Sequence, residues 1–452
     1  MKIIKNSPLK HSYSWLINRK AMFAFFISDI FCLFFAGFFT NFVYGLYLIK
    51  ESEIILLALF WTGYSYIYGR YSSTSKYINN LEIINLLPKQ FQYMIVFYVI
   101  SWIINNRVSA NYYFSYDTKF IYFFIFFILN STLFKIIKIK LTKKLEKTSK
   151  WGFYGSNYDF AALNNLLNRK NVENQYVIKK IDLVDINKYN FGGIILSKKF
   201  LDVENERYLM LNILNRNINV FFLDDWLEII LNRIPFEYIN IENLFKNFNR
   251  IKNNKLQTKL KRFGDVMVSI MLLILTFPFL ILSAIFIWLS DRGPIFYTQR
   301  RVGKDGKEFN LYKLRTMIIN AEQGTPKWVE VQDKRITFIG KILRRTRLDE
   351  IPQLICVLNG EMSLIGPRPE RPEIEIDLKS KIYNYELRHL IKPGLSGWAQ
   401  VNSNYAASLE GVKLKLSYDL YYISNQSIWI DLFILIKTIK VVFNFQGSEP
   451  LE

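Results

Sequence analysis

Residues Val266–Leu289 read VMVSIMLLILTFPFLILSAIFIWL, an uncharged run. As a helix it is long enough to cross a bilayer, which takes about 20 apolar residues. Two features oppose a simple crossing. Pro278 lies near the middle, where it removes a backbone donor and bends or breaks a helix. Both flanks are basic, with Lys255, Lys259, Lys261 and Arg262 before the run and Arg292, Arg300 and Arg301 after it. A crossing would put one cluster outside, against the positive-inside bias. A re-entrant helix over residues 260–290, broken at Pro278 and returning to the leaflet it entered, satisfies both observations. A Pro-kinked fifth span is the competing reading.

Upstream, four uncharged stretches appear: Ile30–Ile49, Ile54–Gly69, Gln90–Asn106 and Phe120–Phe134. They read as four membrane spans, with Lys119 and Lys135 snorkelling at the ends of the last. Met1–Lys20 carries five basic residues and no acid, and Lys135–Lys150 is rich in Lys. An even number of spans puts both segments on one side, and the positive-inside rule makes that side cytoplasmic. No small-residue cleavage site follows the first apolar run, so no cleaved signal peptide is expected. Asp29, near the start of the first span, reads as a polar residue at headgroup level. Residues 1–150 are thus expected to form a four-helix membrane domain.

From Trp151 the pattern changes. Short β-rich runs, WGFYGS, GGIILS and NVFFL, alternate with the helix-like stretches Tyr158–Arg169 and Glu204–Asn215. That alternation gives a small Rossmann-like α/β domain over residues 151–250. Gly152 and Gly155 suggest a phosphate-binding turn, but the third glycine of the dinucleotide fingerprint is missing. We read the unit as a spacer or a homodimer contact, and Asn240–Lys259 as a linker. Residues 251–452 are expected to form a compact α+β domain apposed to the membrane. Ile295–Gln299, the Gly303–Gly306 turn and Phe309–Leu314 suit a β-hairpin. Trp429–Phe445 fits a helix lying in the membrane interface or an ordinary core helix equally well.

Composition narrows the chemistry. With 51% hydrophobic residues the chain is not disordered. Its net charge of +21, on a membrane protein, points to anionic headgroups or phosphorylated substrates rather than nucleic acid. The 2 Cys, Cys32 and Cys356, and the 2 His, His11 and His389, cannot build a disulfide framework or a His/Cys metal centre. The chemistry must come from carboxylates, Arg and Lys.

The densest such stretch is ILRRTRLDEIPQL, Ile342–Leu354. Pro352 places Asp349 and Glu350 near a helix start. Neighbours on a helix point about 100° apart, so the two acids suit separate jobs rather than a shared proton. Arg344, Arg345 and Arg347 upstream would keep both ionised and attract phosphates. The plainer alternative is a capping pair, Thr346 and Asp349, beside solvated arginines. SLIGPRPERP, Ser363–Pro372, holds Arg368 between Pro367 and Pro369, presenting one guanidinium on a fixed backbone. IKPGLSGWAQVN, Ile391–Asn402, offers Trp398 and Gln400 for a base or sugar. YKLRTM and DKRIT complete the set.

Taken in order, KRFGD, GPIFYTQRRVGKDGKEFNLYKLRTM, DKRITFIGKILRRTRLDEIPQL, NGEMSLIGPRPERP and KPGLSGWAQVN resemble the bacterial sugar transferases, monotopic polyprenyl-phosphate sugar-1-phosphate transferases, from Leu256 to Glu452. The upstream spans and α/β unit look like the large members that initiate exopolysaccharide or O-antigen assembly. The resemblance implies transfer of a hexose-1-phosphate from a UDP-sugar to undecaprenyl phosphate, releasing UMP, with Mg²⁺. It implies Asp349 as nucleophile, Glu350 as metal ligand, Arg344 as a phosphate contact, and Pro367, Arg368 and Pro369 as the loop near the uridine phosphate. Lys313 and Arg315 match basic residues of the family pattern. Phe277 stands before Pro278 where the family often has Ser. A glycosyltransferase DxD is missing from the sequence, the first four runs offer a transporter site only Asp29, and a catalytically silent membrane scaffold for polysaccharide assembly is the alternative that intact Asp349, Glu350 and Arg368 argue against.

Overall fold

The computed structural model describes residues 20–44, 51–67, 125–127, 130, 133, 149–168, 176–182, 193–197, 219–319, 321, 333–403 and 408–443. It is α plus α/β, with two compact units, one up to Phe221 and one from Phe222 to the C-terminus.

In the first unit, helices α1 (Lys20–Tyr44) and α2 (Glu51–Ile67) cover the first two apolar runs. Gln90–Asn106 lies outside the described residues, and of Phe120–Phe134 only 125–127, 130 and 133 are described, all helical. They join the first two helices through aromatic packing: Phe126 stacks on Phe39 at 4.5 Å and Phe127 meets Trp61 edge-on at 5.1 Å. Asp29, read as a polar residue at headgroup level, is buried between helices and accepts a hydrogen bond from Trp61 Nε1 at 3.2 Å. A carboxylate there demands a donor, which the indole supplies. The basic segments Met1–Arg19 and 135–148, and the Glu204–Asn215 helix reading, lie outside the described residues.

The α/β part has strands β1 (Ser149–Tyr154), β2 (Tyr176–Lys180), β3 (Gly193–Leu196) and β4 (Val220–Phe222), with α3 (Asn157–Asn168) after β1. The strand order is β2-β1-β3-β4, and β1 runs parallel to both β2 and β3. This is the sheet the alternation called for.

The second unit begins at Phe222. Helices α4 (Leu223–Leu231) and α5 (Ile241–Asn253) precede the long α6 (Lys255–Asp291). The expected Asn/Lys-rich linker is therefore helix. Its asparagines act as caps: Asn240 accepts from Asn243 N and Asn254 from Gln257 N, each at 3.1 Å, so residues that signal a loop by composition here start two helices. Ile234 N bonds Ser417 O and Asn247 bonds Ser424, fastening this segment to the C-terminal helices.

Among the described residues α6 is the one helix long and apolar enough to cross a membrane. It runs continuously through Pro278, so the expected break into two helices is not seen. A single lost N–H donor leaves the rest of the ladder intact, and side chains add to it: Thr276 and Ser283 hydroxyls donate to the carbonyls of Leu272 and Phe279. Its middle turns expose Ile274, Leu275, Phe277 and Phe279.

Strands β5 (Phe296–Val302) and β6 (Glu308–Leu314) form the expected antiparallel hairpin, with Arg301 opposite Phe309. Helix α7 (Phe338–Thr346) is capped by Thr337, whose hydroxyl accepts from Gly340 N at 2.9 Å. After a 3-10 turn, Leu348–Gln353, come α8 (Leu354–Asn359), β7 (Ser363–Ile365), α9 (Pro372–Lys381), β8 (Gly394–Ser396), α10 (Trp398–Asn402), α11 (Leu409–Asn425) and α12 (Ile428–Phe443). β7 and β8 pair in parallel so closely that a β-carbon on Gly394 would stand 2.0 Å from Gly366 N. α11 is the central core helix, burying Leu416, Leu420, Tyr421, Tyr422 and Ile423. α12 buries Ile430, Phe433 and Ile434 while Trp429, Leu432 and Ile439 stay exposed, so it packs on the core and keeps an apolar outer stripe.

Candidate active site

Asp349 and Glu350 sit on the 3-10 turn, which Arg347 enters in the left-handed conformation with φ 59°. Glu350 N bonds Arg347 O at 3.2 Å, the i to i+3 pattern that Pro352, lacking an N–H, permits. The turn buries both acids. The capping pair is not formed: Thr346 Oγ1 donates back to Ile342 and Leu343 carbonyls.

The two adjacent carboxyls have opposite surroundings. Oε1 of Glu350 is 2.7 Å from Arg368 Nη2, 3.3 Å from Lys313 Nζ and 3.6 Å from Arg347 Nη1. Burial pushes its pKa up, but Arg368, Lys313 and Arg347 together outweigh that and hold it well below the usual carboxylate range. Asp349 receives none of these ion pairs, and its Oδ1 is buried with no hydrogen-bond partner. Burial first, then the Glu350 charge, push Asp349 up to about 6. An ionisable group buried, unpartnered on one oxygen and set among cations has the character of a reactive group rather than a structural one.

Arg344, in the last turn of α7, donates from Nε to Thr316 Oγ1 at 2.9 Å, and the Asp349 charge acts on it. The expected site residues Lys313, Arg344, Asp349, Glu350 and Arg368 thus converge from β6, α7, the 3-10 turn and the loop after β7. Pro367 and Pro369 flank Arg368 as read from sequence; Pro367 O accepts from Gly394 N at 2.9 Å, and Glu370 O from Val302 N at 3.0 Å. Arg315 does not join them. It is buried and ion-paired with Asp291 at the end of α6, so it fastens the helix to the domain. Pro278 lies in the exposed middle of α6, remote in sequence from every one of these contacts. Trp398 is not free to stack on a base: it is buried against Tyr421 with Nε1 donating to Asn232 O. Gln400 donates to Leu395 O and keeps a buried Oε1 without a hydrogen-bond partner.

Sequence reading gave no site role to Asp265, Arg301 or Arg388. Asp265, in KRFGD, accepts from Ser363 Oγ at 2.8 Å and Leu364 N at 3.1 Å, placing the foot of α6 against the strand that leads to Arg368. An isolated buried acid among apolar residues was the available signal. Arg301 and Arg388 carried none, because nothing local distinguishes them from solvated arginines.

Among the described residues no three His, Cys, Asp or Glu gather as a metal cage. Magnesium commonly needs only one or two carboxylates, completed by substrate phosphates and water. Asp349 Oδ1 is an unpartnered buried acceptor beside Glu350, and the three ion pairs of Glu350 all fall on Oε1. The donor set fits a divalent cation shared with a bound diphosphate and does not fit a preformed all-protein site.

The family model described as Bacterial sugar transferase matches residues 256–445, the stretch that contains every residue of this cluster. The UDP-N-acetylgalactosamine-undecaprenyl-phosphate N-acetylgalactosaminephosphotransferase of Aeromonas hydrophila is 33% identical over 270 residues, 59% of this chain and 63% of that protein. The UDP-glucose:undecaprenyl-phosphate glucose-1-phosphate transferase of Escherichia coli is 38% identical over 182 residues, 40% of this chain and 39% of its own length. The enzyme of the same name from Caulobacter vibrioides is 37% identical over 183 residues, 40% of this chain and 68% of its length. The chain thus spans less than two thirds of the first two relatives and slightly more of the third. With the acid pair, its cationic surround and the GPRP loop all inside the matched region, this chain belongs to the bacterial sugar transferase family.

Proposed function

We propose that the protein transfers a sugar-1-phosphate from a UDP-sugar to undecaprenyl phosphate, releasing UMP, as the first step of exopolysaccharide or O-antigen assembly. The observation that carries this reading is the contrast within one acid pair: Asp349 buried with an unpartnered oxygen, Glu350 held by Lys313, Arg347 and Arg368. Direct attack of one phosphate on another brings two anions together, and a protein carboxylate divides that barrier into two steps. In the first, an Asp349 oxygen attacks the β-phosphorus, the bond to the bridging oxygen breaks, and UMP leaves with that oxygen. In the second, an oxygen of the lipid phosphate attacks the same phosphorus and returns the carboxylate. Arg344, Lys313 and Arg368 hold phosphate oxygens without competing as nucleophiles. Glu350, with Asp349, is the residue that would hold Mg²⁺, which when bound offsets charge on the diphosphate.

The membrane setting belongs to the same proposal. Residues 1–150 form a four-span membrane domain of the bacterial inner membrane, and the catalytic unit faces the cytoplasm. Helix α6 is re-entrant in our reading because both its ends hold to the same compact unit. Lys261 pairs with Asp431 and Arg262 donates to the Val357 and Leu358 carbonyls near one end; Asp291 pairs with Arg315 and Ile287 packs with Leu314 and Leu343 near the other.

Incubating membranes containing the protein with undecaprenyl phosphate and a panel of UDP-hexoses, and measuring UMP, tests the function. UMP release that depends on the lipid phosphate is expected. Its absence with every donor would favour a silent scaffold.

A further inference from the structure

We propose that Arg388 is a positioning residue that holds the backbone carbonyl of Arg368 and so aims the Arg368 guanidinium at Glu350 and the donor diphosphate. This deepens the reading above and rests on the donor-binding role given there to Arg368.

Four consecutive carbonyls of the loop after β7 are held from outside it. Pro367 O accepts from Gly394 N at 2.9 Å, Arg368 O from Arg388 Nη2 at 2.7 Å, Pro369 O from Arg301 Nη1 at 3.4 Å and Glu370 O from Val302 N at 3.0 Å. Two of the four donors are backbone groups of neighbouring elements. Of the two side chains, Arg388 makes the short, strong contact.

Arg388 is itself locked. The same Nη2 lies 3.1 Å from Asp419 Oδ2 on the core helix α11, Nη1 donates to the Tyr385 hydroxyl, and the guanidinium carbon stands 5.1 Å from the Tyr385 ring centroid. The Arg388 and Asp419 side chains are 8% and 3% exposed. A buried ion pair is weak evidence of stabilisation, since desolvation offsets most of the attraction, so this one invites another account. A planar fork gripped on two sides can hold a third acceptor at a fixed angle, which a lysine on its flexible stem cannot. The third acceptor here is the peptide carbonyl of Arg368. Fixing that peptide plane fixes the direction in which the Arg368 side chain leaves the backbone. The guanidinium needs such help, because the Arg368 side chain is 38% exposed and is held at its far end by Glu350.

The test uses the full chain in detergent or nanodiscs. Arg388→Met and Asp419→Leu are made together, which removes the carbonyl's donor without leaving a buried charge unpaired. Melting temperature, kcat and KM for the UDP-sugar used by the wild type are measured, each in the native and the Arg368→Ala background. We expect a melting temperature close to the parent and a KM raised roughly tenfold to a hundredfold, with a smaller change in kcat. In the Arg368→Ala background the pair should raise KM no further. An unchanged KM, or the same rise in both backgrounds, overturns the proposal. If the double variant does not fold, Arg388→Lys carries the same test. A smaller KM rise that vanishes in Arg368→Ala supports positioning, and no rise or a rise that persists overturns it. A wild type that releases no UMP from any UDP-sugar would instead remove the proposed function itself.

Discussion

Arg368 Nη2 stands 2.7 Å from Glu350 Oε1, the oxygen that Lys313 and Arg347 also reach, while the carboxyl next along the chain, Asp349, has a buried oxygen with no partner. Three direct ion pairs on one acid and none on its neighbour keep Glu350 charged and leave Asp349 available, with the same cations acting on it only at longer range. The asymmetry arises from the 3-10 turn, which splays adjacent side chains to different surroundings.

Replacing Asp349 by Asn should abolish turnover and the covalent labelling obtained with a UDP-sugar radiolabelled at the β-phosphate. The amide keeps the shape and loses the nucleophilic charge. Retention of more than about a thousandth of wild-type turnover, equal to about 4 kcal/mol of transition-state stabilisation, would exclude covalent catalysis by Asp349. The same variant should be more stable at pH 7. In the wild type, burial and the Glu350 charge push the folded Asp349 carboxyl up to about 6, from an ordinary 3.8. The folded state therefore binds more protons between those values, and the charged form opposes folding above about pH 6. Removing the charge should stabilise by ~1–3 kcal/mol, with a gain that shrinks as pH falls toward 4. A lower melting temperature at pH 7 would contradict this.

The acid limb of kcat/KM should fall near pH 6, where Asp349 loses its charge, rather than near 4. Glu350→Gln should move that limb to lower pH even as it lowers the rate. The variant removes a like charge that holds the Asp349 proton and leaves Lys313, Arg347 and Arg368 unbalanced beside it. A limb that stays in place would show that a different group controls it.

Much of this was legible in the sequence because the site residues are compressed into motifs. Asp349, Glu350 and Arg368 announce themselves by spacing to each other and to prolines, and the β5–β6 hairpin by alternation around a glycine turn. The α5 segment was not legible, since Asn240 and Asn254 mark a loop and a helix cap with the same letter. Trp398 misled for a similar reason: an indole beside turn residues looks available, and only the packing against Tyr421 shows where it is spent. Arg388 was silent because its partner Asp419 lies 31 residues away on a core helix, and burial of a charge is a tertiary property.

The α/β part should not bind a dinucleotide. At the start of α3, where a pyrophosphate would meet the helix N-terminus, Asp159 is already buried and accepts from Ser197 Oγ at 2.7 Å. Its carboxylate takes the place of the anion and repels another. Equilibrium dialysis of the full chain against labelled NAD should show no binding below about millimolar concentration. Micromolar binding would overturn this reading.

The re-entrant path of α6 can be tested by accessibility. Asp265, whose partners are Ser363 and Leu364, and Asp291, whose partner is Arg315, are 26 residues apart in one helix, a rise of ~39 Å if straight, more than the ~30 Å hydrocarbon core. A straight transmembrane crossing would put them on opposite sides, yet both hold to one folded body. Single cysteines at Lys259 and Arg300 should therefore react together, and only when a membrane-impermeant maleimide is admitted to the cytoplasmic side. The native Cys32 and Cys356 are buried and give a low background. Pro278→Ala restores the missing backbone donor and stiffens the turn on which any bend depends. It should lower membrane-dependent activity more than it lowers the melting temperature. Labelling of either cysteine from outside would show that α6 crosses and would overturn the re-entrant reading, which rests on the contacts of its two ends, Lys261 with Asp431 and Asp291 with Arg315.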